Sequence, residues 1–344
     1  MKALVYEGPG RKHWTDVPDP TVQDPDDAVV RVEAVTICGT DLHILKGDVP
    51  TCRPGTILGH EAVGRVAEVG AGVRRFAVGD RVLVSCISAC GRCRFCREGR
   101  YGQCQEAGWI LGHRIDGTQA EHVRVPFADM SLHQAPAVPD EQVLMLADIF
   151  PTSYEVGIRN GRLEPGEVVV VVGAGPIGLA AITTAQLVSP SRIIAVDPAE
   201  SRREAAKQFG ADLVLSPDDD VVTAVMDATS GLGADLAVEA VGIPGTFELC
   251  TRVVRPGGRV ANVGVHGAPA TLHLEDLWIR DVTITTGLVD TSTTPMLLTM
   301  LAAGQLDVSR MVTHRFGLGE IDEAYDVFAR PQDSGSLKVA MFAS

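Results

Sequence analysis

Apolar residues follow two different patterns along the chain, and the change between them falls near residue 150. Before it, short stretches such as Ala28–Val35, Ala62–Val69, Arg81–Ser85 and Ala120–Val125 carry β-branched residues between Gly, Pro and Asp turn signals. They predict short strands in a closed or partly closed β-structure. From about Glu167 the strands become continuously apolar and alternate with helical stretches: Val168–Val172, Ile193–Val196, Leu213–Leu215, Leu236–Glu239, Val260–Val263 and Val282–Thr286. Strands that are apolar on both faces, with helices between them, predict a covered parallel sheet. One helix is expected from Ser201, with Ala205, Ala206 and Phe209 before Gly210, and another after Asp218-Asp219-Asp220, whose carboxylates suit a helix N-terminus. After Leu288 the texture is mixed again, so the tail is expected to rejoin the first domain. The expected division is 1–150, 151–288 and a return segment 289–344.

Composition narrows the classes of function. A chain of 344 residues with 45% hydrophobic and 22% charged residues is an ordinary globular composition. Asp plus Glu number 44 against 30 Lys plus Arg, a net charge of −14, and this field repels nucleic acid and anionic lipid. Neither is expected as a partner. The longest nearly apolar run, Val168 to Ile182, is interrupted by glycines and Pro176 and is shorter than the ~20 residues of a membrane span. The first residues lack the apolar core of an export signal. Four of the eight cysteines are clustered at short spacings, which suits metal binding in a reducing compartment, and the cytoplasm is the expected location.

The strand Val168–Val172 runs directly into Gly173-Ala-Gly175-Pro176-Ile177-Gly178 and then into an apolar helix. In that context Gly173 permits a tight turn, Gly175 lets backbone approach a pyrophosphate, and Gly178 allows close packing at a helix start that offers N–H donors. The next strand ends in Asp197, placed to accept hydrogen bonds from ribose hydroxyls and to repel a 2′-phosphate. The expected cofactor is therefore NAD rather than NADP, with Arg202 beside the adenine. Val241, Val263, Val265 and Leu288 follow later parallel strands and are expected to line the nicotinamide side.

Cys90, Cys93, Cys96 and Cys104 form a CxxCxxCx7C array suited to a closed tetrahedral zinc site, which is structural because no coordination position stays open. An iron–sulfur cluster fits less well, since neither the usual proline nor a second cysteine set is present. Arg92, Arg94, Arg97 and Arg100 are expected to offset the charge of four thiolates. A dispersed set, Cys38, His60 and Asp148, offers one sulfur, one imidazole and one carboxylate, three ligands that leave a fourth position for water or substrate.

In that order, ICGTDLH at 37–43, GHE at 59–61, the four-cysteine lobe and VVVVVGAGPIGL at 168–179 resemble the zinc-dependent medium-chain alcohol dehydrogenases over essentially the whole chain. Asp148 at the third ligand position, where many members carry cysteine, is similar to the bacterial secondary-alcohol dehydrogenases. The resemblance implies a GroES-like β-barrel catalytic domain and a Rossmann domain. It also implies one catalytic zinc on Cys38, His60 and Asp148, and Glu61 as the acid that can enter the coordination sphere. Thr40 would hydrogen-bond the substrate oxygen, and His43 would be the outer member of a proton relay. Asp41 is read as structural, orienting backbone or His43. Lys338 resembles the family's basic residue near the pyrophosphate. The implied reaction interconverts small alcohols, secondary or medium-chain, with ketones or aldehydes by hydride transfer to and from NAD, in a homo-oligomeric enzyme, tetramer or dimer. A polyol or threonine-type dehydrogenase, or a non-catalytic dinucleotide-binding protein, would use the same scaffold. Trp109, Ile110, Leu111, Ser85 and Ile87 are the residues expected near substrate.

Overall fold

The computed structural model describes residues 1–343. Strands β1 (Lys2–Gly8), β2 (Arg11–Asp16), β3 (Ala28–Thr36), β4 (Ala62–Val69), β5 (Arg81–Val84), β6 (His122–Val125) and β7 (Leu132–Gln134) precede residue 150. Strands β8 (Val168–Val172), β9 (Arg192–Val196), β10 (Leu213–Leu215), β11 (Ala234–Glu239), β12 (Val254–Asn262) and β13 (Thr283–Thr286) follow, and β14 (Val312–Gly317) and β15 (Lys338–Phe342) lie near the end. The chain divides into two compact units, Met1–Pro151 together with the segment from Asp290 onward, and Thr152–Val289.

In the first unit β14, β15, β3, β4, β5 and β7 are neighbours in that order, and β6 pairs with the start of β3. Strand β3 therefore has three partners along its nine residues. Its last residues meet β15 antiparallel, with Ala340 opposite Thr36 and Phe342 opposite Ala34. The return segment thus supplies an interior strand of this sheet. Val30, Val32, Val35, Val66, Val84, Val339 and Met341 join in one buried cluster.

The second unit is a six-stranded sheet in the order β10-β9-β8-β11-β12-β13, parallel throughout. Strand order reverses between β8 and β11, the position where sheets of this kind bind ligands. Strand β12 begins at Val254, ahead of the apolar stretch at 260–263, because Arg255-Pro256-Gly257-Gly258 continues the strand through a shift of register between Ala234 and Leu236 of β11. The helix after Asp220 forms over Val221–Ala228, and the Asp220 carboxylate accepts the Thr223 amide at 3.1 Å.

Candidate metal and dinucleotide sites

Helix α1 (Gly39–Lys46) starts at Cys38, where the Asp41 carboxylate accepts the Cys38 amide at 2.9 Å. That bond fixes the turn that presents the Cys38 sulfur. His60 and Glu61 directly precede β4, after Gly59 at φ +91°. A Cβ on Gly59 would fall 2.6 Å from Cγ of Gln119, so only glycine lets the backbone pass here. Cys38, His60, Glu61 and Asp148 each offer a ligand atom within 4.8 Å of the others.

The spacing within this cluster matches a tetrahedral ion. With bonds of about 2.0–2.3 Å, neighbouring ligand atoms on zinc lie about 3.3–3.8 Å apart. Here Asp148 Oδ2 is 3.5 Å from Cys38 Sγ and 3.5 Å from Nε2 of His60. The other imidazole nitrogen, Nδ1, lies 3.8 Å from Asp41 Oδ1, and neither atom has a hydrogen-bond partner, although both are buried. Burial and the Asp148 charge push the Cys38 thiol up. Burial pulls His60 down, but Asp148, Cys38 and Asp41 more than reverse it, leaving the imidazole well above its usual value. Such groups hold protons tightly, and a divalent cation answers the same concentration of negative charge.

Glu61 is held from behind. Lys338 Nζ donates to Glu61 Oε1 at 2.8 Å and to the Ile37 carbonyl at 2.9 Å, and both side chains are 1% exposed. Burial raises the Glu61 carboxyl and Lys338 opposes it. This corrects the placement of Lys338 against a pyrophosphate: it lies on an interior strand, is 1% exposed, and its Nζ donates to two acceptors of the first unit.

Thr40 Oγ1 is 3.6 Å from Cys38 Sγ. His43 on the same helix is 37% exposed, and its Nδ1 is 2.8 Å from Asp48 Oδ2. Asp41 turns towards the Cys38 amide and His60, not towards His43.

The four cysteines of the lobe lie together, with Cys90 Sγ 3.9 Å from Cys96 Sγ, close to the ~3.8 Å that two sulfurs span on a tetrahedral zinc. Backbone amides face the sulfurs: Cys90 N to Cys104 Sγ at 3.3 Å, Cys93 N to Cys90 Sγ at 3.4 Å and Cys96 N to Cys93 Sγ at 3.5 Å. The amides of Gln105 and Cys96 bring the Cys93 thiol down to about 6, whereas burial pushes Cys96 up to about 12. At the surface Arg92 pairs with Glu106 and Arg94 with Glu98, while main-chain amides face the sulfurs directly.

In the second unit β8 runs into Gly173 at φ +97°, and helix α2 (Pro176–Ala185) begins with Gly175 as its cap and Pro176 as its first residue. A Cβ on Gly178 would fall 1.8 Å from the Gly173 carbonyl oxygen, which is how closely the helix packs on the turn. At Gly175 nothing lies nearer than Arg202 Nη1 at 3.9 Å, and the backbone is open to a ligand. The Ile177 carbonyl accepts the Ser153 hydroxyl at 2.8 Å. Asp197 is 2% exposed; its Oδ2 accepts the Ala174 amide at 2.8 Å and its Oδ1 the Ala199 amide at 2.9 Å, with Arg202 Nη1 3.9 Å away. Beside it a cavity of about 440 Å³ is lined by Gly173, Val196, Pro198, Val241 and Thr246. Val263, Val265 and Leu288 lie beyond the C-terminal ends of β12 and β13, with Val265 and Leu288 exposed.

Two family models match the chain: the alcohol dehydrogenase GroES-like domain over residues 24–137 and the zinc-binding dehydrogenase domain over 176–303. An alcohol dehydrogenase of Cupriavidus necator is 39% identical over 99% of this chain and 98% of its own length. The chain belongs to the zinc-dependent alcohol dehydrogenase family. Its first unit is the GroES-like domain of that family and its second the Rossmann-like parallel sheet domain. The structure of zinc dependent alcohol dehydrogenase 2 from Streptococcus pneumonia superposes with a TM-score of 0.96 at 47% identity, covering 100% of this chain and 99% of that one. A zinc-binding dehydrogenase from Sinorhizobium meliloti, solved with NADP, has a TM-score of 0.87 at 29% identity, covering 99% and 98%. Among the described residues no helix is long and apolar enough to cross a membrane.

Three residues around the Cys38, His60 and Asp148 cluster, Cys86, Gln119 and Tyr325, carry no motif. Cys86 Sγ lies 3.7 Å from Asp148 Oδ1, and Asp41, Gln119 and Tyr325 form a buried chain behind His60. Of the residues expected near substrate, Trp109 is edge-on to the His60 ring at 6.4 Å between centroids. Leu111 is in the core of the first unit, Ile110 packs beneath the cysteine lobe, and Ile87 and Ser85 are buried. The Ser85 hydroxyl donates to Thr291 Oγ1 at 3.0 Å and accepts the Ile87 amide at 3.2 Å.

Proposed function

We propose that this dehydrogenase interconverts small alcohols, secondary or medium-chain, with their ketones or aldehydes, using NAD, one catalytic zinc and one structural zinc. The observation that carries this is the donor set Cys38, His60 and Asp148, whose spacing suits zinc and whose count leaves a position open beside Thr40. Bound there, zinc supplies Lewis acidity that lowers the pKa of a substrate hydroxyl. NAD supplies the hydride acceptor. The chain's own residues hold and move the proton: the Thr40 hydroxyl accepts it from the substrate, and His43, partly exposed and paired with Asp48, delivers it to solvent. Glu61, anchored by Lys338, stands ready beside the three ligands. Gly173, Gly175, Pro176, Ile177 and Gly178 hold the pyrophosphate, and Val241, Val263, Val265 and Leu288 the nicotinamide side. The carboxylate of Asp197 supports NAD, because a negative group beside the adenosine ribose disfavours a 2′-phosphate.

A homo-oligomer fits the surface of the second unit. Strand β13 is an edge of its sheet, and Trp278 and Ile279 nearby are 74% and 68% exposed. The reducing character of the cysteine lobe fits the cytoplasm.

The test combines zinc content with initial rates on 2-butanol, ethanol, a polyol and L-threonine, each with NAD and NADP, for wild type and Asp148→Ala. Two zincs per chain, one in the variant, and NAD-dependent oxidation of 2-butanol lost with it are the expected result. Faster turnover of threonine or the polyol reassigns the substrate, and one zinc with no turnover removes the catalytic reading.

A further inference from the structure

Behind the metal cluster a line of buried polar groups runs from His60 to the return segment. Helix α3 (Ile321–Phe328) carries Tyr325, whose Oη donates to Gln119 Oε1 at 2.9 Å. Gln119 Nε2 donates to Asp41 Oδ2 at 3.1 Å and to the Thr36 carbonyl at 3.3 Å. Asp41 Oδ2 also accepts the Cys38 amide, and its Oδ1 is the atom left facing Nδ1 of His60. Tyr325 is 3% exposed, Gln119 0%, Asp41 1% and His60 4%.

Each link constrains the next. A carboxamide has one acceptor end and one donor end, and a neutral phenol donates a single proton. Because Tyr325 occupies the oxygen of Gln119, the NH2 end must face Asp41 and Thr36. That supplies Asp41 Oδ2 with its donors and leaves Oδ1 for the imidazole. At 3.8 Å the Asp41 carboxylate is longer than a hydrogen bond from Nδ1, but its charge in this buried place favours the proton on Nδ1 and the Nε2 lone pair towards the metal, the arrangement that orients histidine ligands and raises their basicity. Packing alone would be met by an apolar pair of equal size, and burying four polar groups without such a chain is costly.

We propose that Tyr325 and Gln119 are positioning residues for the catalytic metal: through Asp41 they fix the tautomer and orientation of His60, and so set how firmly the Cys38, His60 and Asp148 site retains zinc. This rests on the reading of those three residues as a zinc site. It gives the return segment a part in metal binding although it contributes no ligand.

The experiment uses the full-length protein with both zincs bound. Zinc release to a chromogenic chelator is followed in wild type, Tyr325→Phe and Gln119→Met, and cobalt(II) is exchanged into the site to record its visible absorption bands. Thermal unfolding checks that both variants fold. Tyr325→Phe leaves the buried Gln119 oxygen without its donor and the carboxamide without its anchor against Asp41, and release from this site is expected to quicken by about 10–100-fold, with shifted cobalt bands. Gln119→Met should do more, while the zinc of the cysteine lobe leaves at its wild-type rate in both. Unchanged release and cobalt bands in both variants overturn the proposal, whatever happens to melting. Equal acceleration at both zinc sites also overturns it, since that is general loosening. A wild-type protein holding only the cysteine-bound zinc overturns the site reading and the proposal together.

Discussion

Lys338 Nζ and Glu61 Oε1 meet at 2.8 Å with both side chains 1% exposed, a pair closed between residues 277 apart in the sequence. Removing one member leaves the other as an unpaired buried charge. Lys338→Met is expected to cost about 3–5 kcal/mol of stability, and the double variant with Glu61→Gln should recover most of it. Urea unfolding of the two single variants and the double variant measures this. A Lys338→Met protein as stable as wild type would show that Glu61 is protonated there.

The cysteine lobe predicts a stability effect separable from chemistry. Cys104→Ser should remove one zinc, loosen the cluster of Ala89, Cys96, Ala107 and Ile110 packed around it, and lower the melting temperature. The cost should be at least about 2 kcal/mol, a drop of several degrees for a unit of this size. Zinc analysis with calorimetry reads both quantities, and full stability after loss of that zinc would deny it a structural role.

Gly175 and Gly178 should respond differently to alanine. At Gly178 the added methyl meets a carbonyl oxygen at 1.8 Å, so the helix must shift, and a loss of about 1–3 kcal/mol is expected with or without cofactor. At Gly175 the methyl finds open space in the empty protein but occupies the approach of a pyrophosphate. Gly175→Ala should therefore melt like wild type while dinucleotide affinity falls by about tenfold or more, as read by calorimetric titration.

His133 predicts an acid sensitivity. Burial, with a smaller push from Arg75, lowers its imidazole from 6.5 to about 4, so the folded protein keeps it neutral. Below pH 6.5 the unfolded chain binds a proton that the folded one does not. This contribution to stability is therefore complete above that pH and declines as pH falls towards 4, by roughly 2–3 kcal/mol. His133→Leu should show a shallower loss of melting temperature between pH 7 and pH 4.5 than wild type. Parallel curves would mean that the ring is protonated in the fold.

Trp278 predicts an assembly effect. If the exposed face beside β13 is covered by a second copy, Trp278→Glu should lower the mass seen by light scattering and leave the far-UV circular dichroism of the folded chain unchanged.

Much of this was legible in the sequence because the signals are local. The apolar strand, the Gly173 to Gly178 turn and Asp197 lie within 30 residues, and each glycine has a distinct steric reason to be there. The four-cysteine lobe is equally compact. Cys38, His60 and Asp148 were found by residue type, but no pattern tells which nitrogen of His60 faces Asp41. What sequence missed depends on strand pairing. Lys338 reads as a cofactor-binding lysine until β15 is seen lying between β14 and β3. Gln119 and Tyr325 are unremarkable polar residues until α3 is packed against the first unit's core. In the cysteine lobe the arginine charge is visible in the sequence, whereas the backbone amides that face the sulfurs are not.

The interior position of β15 has a consequence for synthesis. Residues Thr152–Val289 emerge as one contiguous stretch and can close as they appear, but the first unit must wait for its last strands. At about 5–20 residues per second, Glu61 leaves the ribosome roughly 15–55 s before Lys338 arrives to neutralise it. During that interval the growing chain exposes an unpaired edge of β3 and a Glu61 carboxylate without its lysine, which makes translation a period of exposure to misassociation.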